Sequence, residues 1–313
     1  MGEKIAVYDL LLVIALVGAA WKALFGRDAF TATVFYVAYG LFMAMAWVQL
    51  GAIDVALAEA CVGAGLTGAL LIGAIRQFDR DRDIGGPVGV GWGRSVVGIL
   101  TILVLIGLVT SLNKMNEPVH TIPTLVEESL DVSGSTHPVT AVLLNFRAFD
   151  TWLELGVLLL ASVAAIAIHK IYDSRPIPEE LSPAQEQPQV AARMMLPLLV
   201  VLGGVLLWFG SRAPGGAFQA GALIGAAGIL LQIAGEQSFL RVSSIRTRFL
   251  LLMGFVTFLA IATLTFSLGR RILEYSPASA ATMILTLELA ATVSIALTLN
   301  VVYACSHPWG AAK

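Results

Sequence analysis

Gly51-Ala-Ile-Asp54-Val-Ala-Leu-Ala-Glu59-Ala-Cys61-Val-Gly63-Ala-Gly65-Leu-Thr-Gly68 puts two carboxylates, five residues apart, at the start of a stretch that is otherwise apolar or small until Arg76. An acidic side chain in hydrocarbon is costly, so its presence points to an ion or proton path or to a partner in a neighbouring helix. The whole chain supports that setting. Of its 313 residues 58% are hydrophobic and 13% charged, and its mean hydropathy is +0.85. Soluble domains carry about 25% charged residues. Long apolar runs rather than short alternating segments exclude a membrane barrel. The reading is an all-α, polytopic membrane protein.

Runs of the roughly 20 apolar residues needed to cross about 30 Å of hydrocarbon predict spans near 5–25, 30–49, 54–75, 94–112, 151–170, 192–210, 217–236, 248–268 and 278–304. That makes about nine transmembrane helices. The N-terminal run reads as the first span rather than a cleaved leader, since no basic leader or small-residue cleavage site stands there. Alternating the sides places thirteen Lys and Arg on one face and six on the other. The positive-inside rule then puts the N-terminus outside and the C-terminus in the cytoplasm. Four units are expected: membrane helices at 1–90, helices with an external loop at 91–173, a proline- and glutamate-rich cytoplasmic linker at 174–190, and a membrane domain at 191–313.

Asp54 stands where an N-cap belongs, since Asp readily accepts from first-turn N–H groups. Glu59 lies too far into the helix to cap it, and on a continuous α-helix it points roughly 140° away from Asp54. Glu288 is deep in the last span, out of reach of a cap or of the headgroups. Thr151-Trp-Leu-Glu154 has the spacing of a capping box. Asp150 and Glu154 are also one helical turn apart, with Arg147 one turn earlier, so an acid–base face at the boundary is the other reading. The stretch 139–150 is too short to span and suits an interfacial or partly inserted helix. Between the sixth and seventh spans, Gly210-Ser-Arg212-Ala-Pro214-Gly215-Gly216-Ala-Phe218-Gln219-Ala-Gly221 predicts a tight turn or a broken helix entrance. Gln219 and Gln232 suit helix–helix hydrogen bonds.

The remaining polar features are ordinary. Asp79, Asp81 and Asp83 lack the later ligands of a calcium loop, and Gly89, Gly91 and Gly93 do not follow a βα unit. His120, His137, His169 and His307 lie in loops or near helix ends, which gives them surface or interface roles. Cys61 and Cys305 suggest neither a disulfide framework nor a metal cluster. No serine nucleophile elbow, phosphate loop or glycosidase pair occurs, and the basic residues are too scattered for nucleic acid. No enzyme activity, cofactor or metal is expected.

Three blocks resemble a known family. The stretch from Gly51 to Thr67 resembles the D-type segment of membrane-bound hydrogenases, which is also found near the end of the large A-type chain of Mrp-type sodium/proton antiporters; Ile53 and Ala58 replace the usual proline and threonine. Leu144-Asn145-Phe146-Arg147-Ala148-Phe149-Asp150-Thr151 with Glu154 resembles the E-type segment that follows, with Asn145 and Ala148 where Asp and Gly are usual. Arg212-Ala-Pro214-Gly215-Gly216-Ala217-Phe218-Gln219 resembles the signature of the antiporter's B-type chain, and Glu288 matches its late acidic position. The resemblance implies a fusion of the A-type tail with a B-type chain, in the inner membrane of a prokaryote, among other antiporter-like subunits and lipids. Asp54, Glu59, Asp150, Glu154 and Glu288 would then be candidates for a path for protons and sodium, supported by Arg147, Pro214, Gly215, Gly216 and Gln219. A structural adaptor between antiporter-like subunits and a redox or other module is the alternative.

Overall fold

A computed structural model of the chain describes residues 2–26, 28–78, 92–114, 122–172, 186–235, 242 and 244–306. The charged loop at 79–83, the glycines at 89 and 91, most of the 174–190 linker, and His120 and His307 lie outside the described residues. Helices α1 (Gly2–Phe25) and α2 (Ala29–Gln49) form a hairpin. Asp28 caps α2 by accepting from the Thr31 N–H at 2.7 Å, and that bond holds the carboxyl below its usual pKa. Then come α3 (Ile53–Ala58), a π-helical stretch π1 (Glu59–Leu66), α4 (Thr67–Phe78) and α5 (Trp92–Leu112).

The chain continues through short pieces, α6 (Ile122–Glu128), α7 (Leu130–Ser133), α8 (Pro138–Ala141) and a second π stretch, π2 (Val142–Phe146). Five long helices complete it: α9 (Ala148–Tyr172), α10 (Glu186–Phe209), α11 (Ala217–Ile233), α12 (Ile245–Ser267) and α13 (Pro277–Ser306).

Apolar helices occupy all nine expected places. Among the described residues seven are long and apolar enough to cross a membrane: Val7–Phe25, Ala29–Gln49, Ile53–Ile72, Ala148–Lys170, Ala192–Phe209, Ile245–Ser267 and Pro277–Ser306. The other two apolar stretches, Gly98–Ser111 and Ala217–Ile233, are shorter. The chain is thus an all-α, multi-pass membrane protein. The expected 54–75 helix is also not one regular α-helix, since π1 interrupts it from Glu59.

The core is built around α13, whose span is 56% buried while the other six range from 11% to 33%. Its sequence explains this, because Ala280, Ala290, Ala291, Ser294, Ala296 and Thr298 let neighbouring backbones come close, the contact on which packing in lipid depends. Opposite it, α11 offers Gly221, Gly225 and Gly228 as one stripe, and a Cβ on Gly221 would lie 2.8 Å from Ile295. Polar side chains lock these contacts. Ser294 donates to the Leu251 carbonyl of α12 at 2.6 Å. The buried Asn300 side chain accepts from Gln232 at 2.9 Å and donates to the Gly225 carbonyl at 3.1 Å. Gln232 is therefore a helix–helix contact, as its position suggested.

The segment that precedes α9 differs in detail from expectation. In place of one interfacial helix over 139–150 there are α8, π2, a break at Arg147 and the first turn of α9. Because α9 begins at Ala148, Thr151 is already inside it and no capping box forms; its hydroxyl instead donates to the Leu143 carbonyl at 2.7 Å. Asn145 is also structural, donating to the Ser133 carbonyl at 2.8 Å. Gly134 ends α7 in the left-handed region at φ 81°, and a Cβ there would stand 2.6 Å from both the Ala280 Cβ and the Ala281 nitrogen. A Gly134→Ala substitution therefore meets strain and backbone overlap together. We expect a loss of about 1–3 kcal/mol, read as a lower thermal midpoint of the detergent-purified protein.

Candidate functional site

Helix α10 stops at Phe209 because Gly210 and Pro214 do not sustain it, and Gly216 turns the chain at φ 107°, where a side chain would be strained. The turn from Gly210 to Gly216 packs beside the middle of α13. Glu288, eleven residues beyond the first residue of α13 and so about 16 Å along it, abuts the turn. Its Oε1 is 2.8 Å from the place a Gly210 Cβ would take and 3.3 Å from that of a Gly216 Cβ. The glycines leave room for the carboxylate. Glu288 is 1% exposed, and no ion pair to it occurs among the described residues. The Thr292 hydroxyl bonds the Glu288 backbone carbonyl at 2.7 Å, not the carboxylate.

Non-helical backbone at such depth is tolerated only where protein satisfies its polar groups. Here three parts of the chain do so. The Ser211 carbonyl accepts from the N–H groups of Thr136 at 3.0 Å and His137 at 3.1 Å, and from the Ser135 hydroxyl at 2.9 Å. The Gly210 carbonyl accepts from the Thr140 hydroxyl. On the other flank the Gly215 N–H donates to Asp54 Oδ1 at 2.9 Å, while the Gly216 N–H turns back to the Leu206 carbonyl at 3.0 Å. Gln219, buried in the first turn of α11, donates to the Asp54 backbone carbonyl at 3.3 Å.

Asp54 therefore does not cap its own helix. Ala52 holds the N-cap position, and the Asp54 side chain reaches across to the turn. His137 differs from expectation too: Nε2 lies 3.4 Å from Asp54 Oδ2, and each side chain is only 12% exposed. The segments after α2, before α9 and between α10 and α11 thus meet at one junction.

The other candidates stand apart from this junction. Glu59 opens π1, half-buried, with its carboxylate filling the space that a side chain on Gly63 would need. Its stretch packs on α2, where Gly40 faces Ala64, and on α11. Arg147 and Asp150 pair at 2.6 Å but are 70% and 45% exposed, a geometry worth about 0–1 kcal/mol. Glu154 is exposed on α9. Pro214 is half-buried in the turn. Among the described residues no group of three or more His, Cys, Asp or Glu side chains could hold a metal ion.

Two family models match the chain: residues 14–80 fit MbhD, the D-type component of MBH, and residues 187–306 fit a "domain related to MnhB subunit of Na+/H+ antiporter". The chain is related to the Mrp/Mnh antiporter and membrane-bound hydrogenase modules. The curated A-type component of the Na(+)/H(+) antiporter of Bacillus subtilis (strain 168) is 24% identical over 169 residues, which is 53% of this chain and 21% of that protein. Among solved structures, a chain of the Mrp complex from Dietzia sp. DQ12-45-1b superposes on 95% of this chain with a TM-score of 0.74, at 19% identity and over 34% of its own length. The Mrp-related chain spans about a fifth of that curated relative and a third of that structural neighbour, and the superposition shows a shared fold.

The Asp54 contact can be weighed directly. Asp54→Ala leaves the part-buried Gly215 N–H without its acceptor, a cost of about 1–3 kcal/mol, whereas Asp54→Asn keeps an acceptor oxygen in place. In thermal unfolding of the purified protein, the alanine variant should melt well below the asparagine variant.

Proposed function

We propose that this chain is a non-catalytic membrane subunit of a multisubunit cation/proton antiporter or a related energy-transducing complex. In this reading Glu288 and Glu59 are acidic groups of an ion or proton path, with sodium as the cation. The observation that carries it is Glu288, a carboxyl group with 1% exposure and no ion pair among the described residues. A buried acid set against a glycine turn costs stability that a hydrophobic residue would not, which favours a functional reason for keeping it. Residues 1–90 and 91–173 would correspond to the tail of an A-type subunit, 174–190 to a linker and 191–313 to a B-type subunit, in a prokaryotic inner membrane with the N-terminus outside.

A second reading has its own support for the remaining acids. Asp54 spends one carboxylate oxygen on a backbone N–H, and Asp150 is paired with Arg147 on the outer surface. Both uses suit a structural adaptor, in which these groups hold the subunit or its neighbours together. The two readings separate on Glu288 and Glu59.

In membrane vesicles carrying the assembled complex, Glu288→Gln should lower cation-driven proton flux by tenfold or more while the complex still forms, and Glu59→Gln should lower it as well. Native flux in both assembled variants would leave only the adaptor.

A further inference from the structure

We infer that His137 is a proton-relay residue at the aqueous end of the route to Glu288, passing protons to Asp54. The inference rests on the reading that protons reach Glu288 through this chain, and it adds a residue and a point of access to that reading.

Four observations lead to it. His137 occupies the N-cap position of α8, but its side chain makes no capping bond, and its backbone N–H is taken by the Ser211 carbonyl. The ring is thus free to face Asp54, with Nε2 at 3.4 Å from Oδ2 and both side chains nearly enclosed. Its other nitrogen, Nδ1, is buried and has no hydrogen-bond partner among the described residues. A buried ring nitrogen left empty calls for a water or another polar group. An imidazole with one nitrogen facing a carboxylate and the other without a protein partner is an arrangement a relay can use.

The step balances simply. Nδ1 forms an N–H bond with an excess proton brought from the aqueous phase as hydronium, which leaves as water, Nε2–H breaks and delivers a proton to Asp54 Oδ2, and a ring flip or tautomer exchange restores the start. The separation of 3.4 Å closes by a few tenths of an ångström or through one water before transfer.

Asp54 is the charged group in contact with the ring. The elements nearest α8 also carry the exposed Arg212 of the turn, the exposed Asp131 of α7, and the mutually paired Asp150 and Arg147 at the start of α9. Behind the turn stands Glu288, beside Gly216, with the Gln219 carboxamide close to the same point. Asp54, Gln219, Gly216 and Glu288 thus form a continuous set of neighbours leading inward from His137.

The test uses the assembled complex in everted vesicles, with proton movement followed by a pH-indicating dye after addition of sodium chloride, and of lithium or potassium chloride in parallel. His137→Gln, which keeps a hydrogen-bonding side chain but cannot turn over a proton, should assemble and lose at least tenfold in flux. His137→Ala should lose as much and regain flux when imidazole is added, whereas Asp54→Ala should not regain it.

Native flux in assembled His137→Gln would overturn the relay alone. So would a His137→Ala defect that imidazole leaves untouched, or a failure of both variants to assemble, since each makes His137 a structural strap. Native flux in Glu288→Gln would instead overturn the underlying reading, and the relay with it.

Discussion

An open turn of backbone packed beside the middle of the most buried helix must find its hydrogen bonds within protein, and that requirement organises this molecule. The turn from Gly210 to Gly216 lies beside Glu288, about 16 Å along α13. Lipid offers its N–H and C=O groups nothing. They are met instead by Asp54 on one flank and by residues 135–140 on the other. Segments far apart in sequence are therefore drawn to one place for a reason that has nothing to do with chemistry at a substrate.

This explains why a helix as short as α11 is stable there. Its 17 residues reach only about 25 Å, less than the hydrocarbon thickness. The deficit is made up at the end where α11 begins, by the short helices and π turn before α9. Those pieces pack over the Gly210–Gly216 turn, and Gly134 lets them come against the start of α13. The same arrangement shields Glu288 from bulk water and sets Asp54 and His137 side by side at the turn.

Much of this is legible in the sequence. Helix positions follow from apolar run length, and the turn follows from Gly210, Pro214, Gly215 and Gly216. Glu288 is distinguished by its depth alone. What is not legible depends on contacts across long separations. Nothing near Asp54 reveals that it serves Gly215 rather than its own helix, and nothing near His137 reveals a carboxylate opposite it. The π turns at Glu59–Leu66 and Val142–Phe146 leave no mark in apolar spacing, so the 54–75 helix reads as regular and Thr151 reads as a cap. Asn300, buried between α11 and α13, does not stand out because a single Asn in a long apolar helix carries no spacing signal. Seven of the expected spans are long and apolar enough to cross a membrane among the described residues, while α11 is shorter because its first turn meets the Gly210–Gly216 turn.

The most direct test is a high-resolution density map of the assembled complex in lipid, read at the Gly210–Gly216 turn. The turn should lie well inside the hydrocarbon boundary, with the Gly215 N–H on the Asp54 carboxylate, the Ser211 carbonyl bound by residues 135–137, and the Glu288 carboxyl enclosed against Gly210 and Gly216. A turn found at headgroup level, with Glu288 facing lipid or open water, would contradict it.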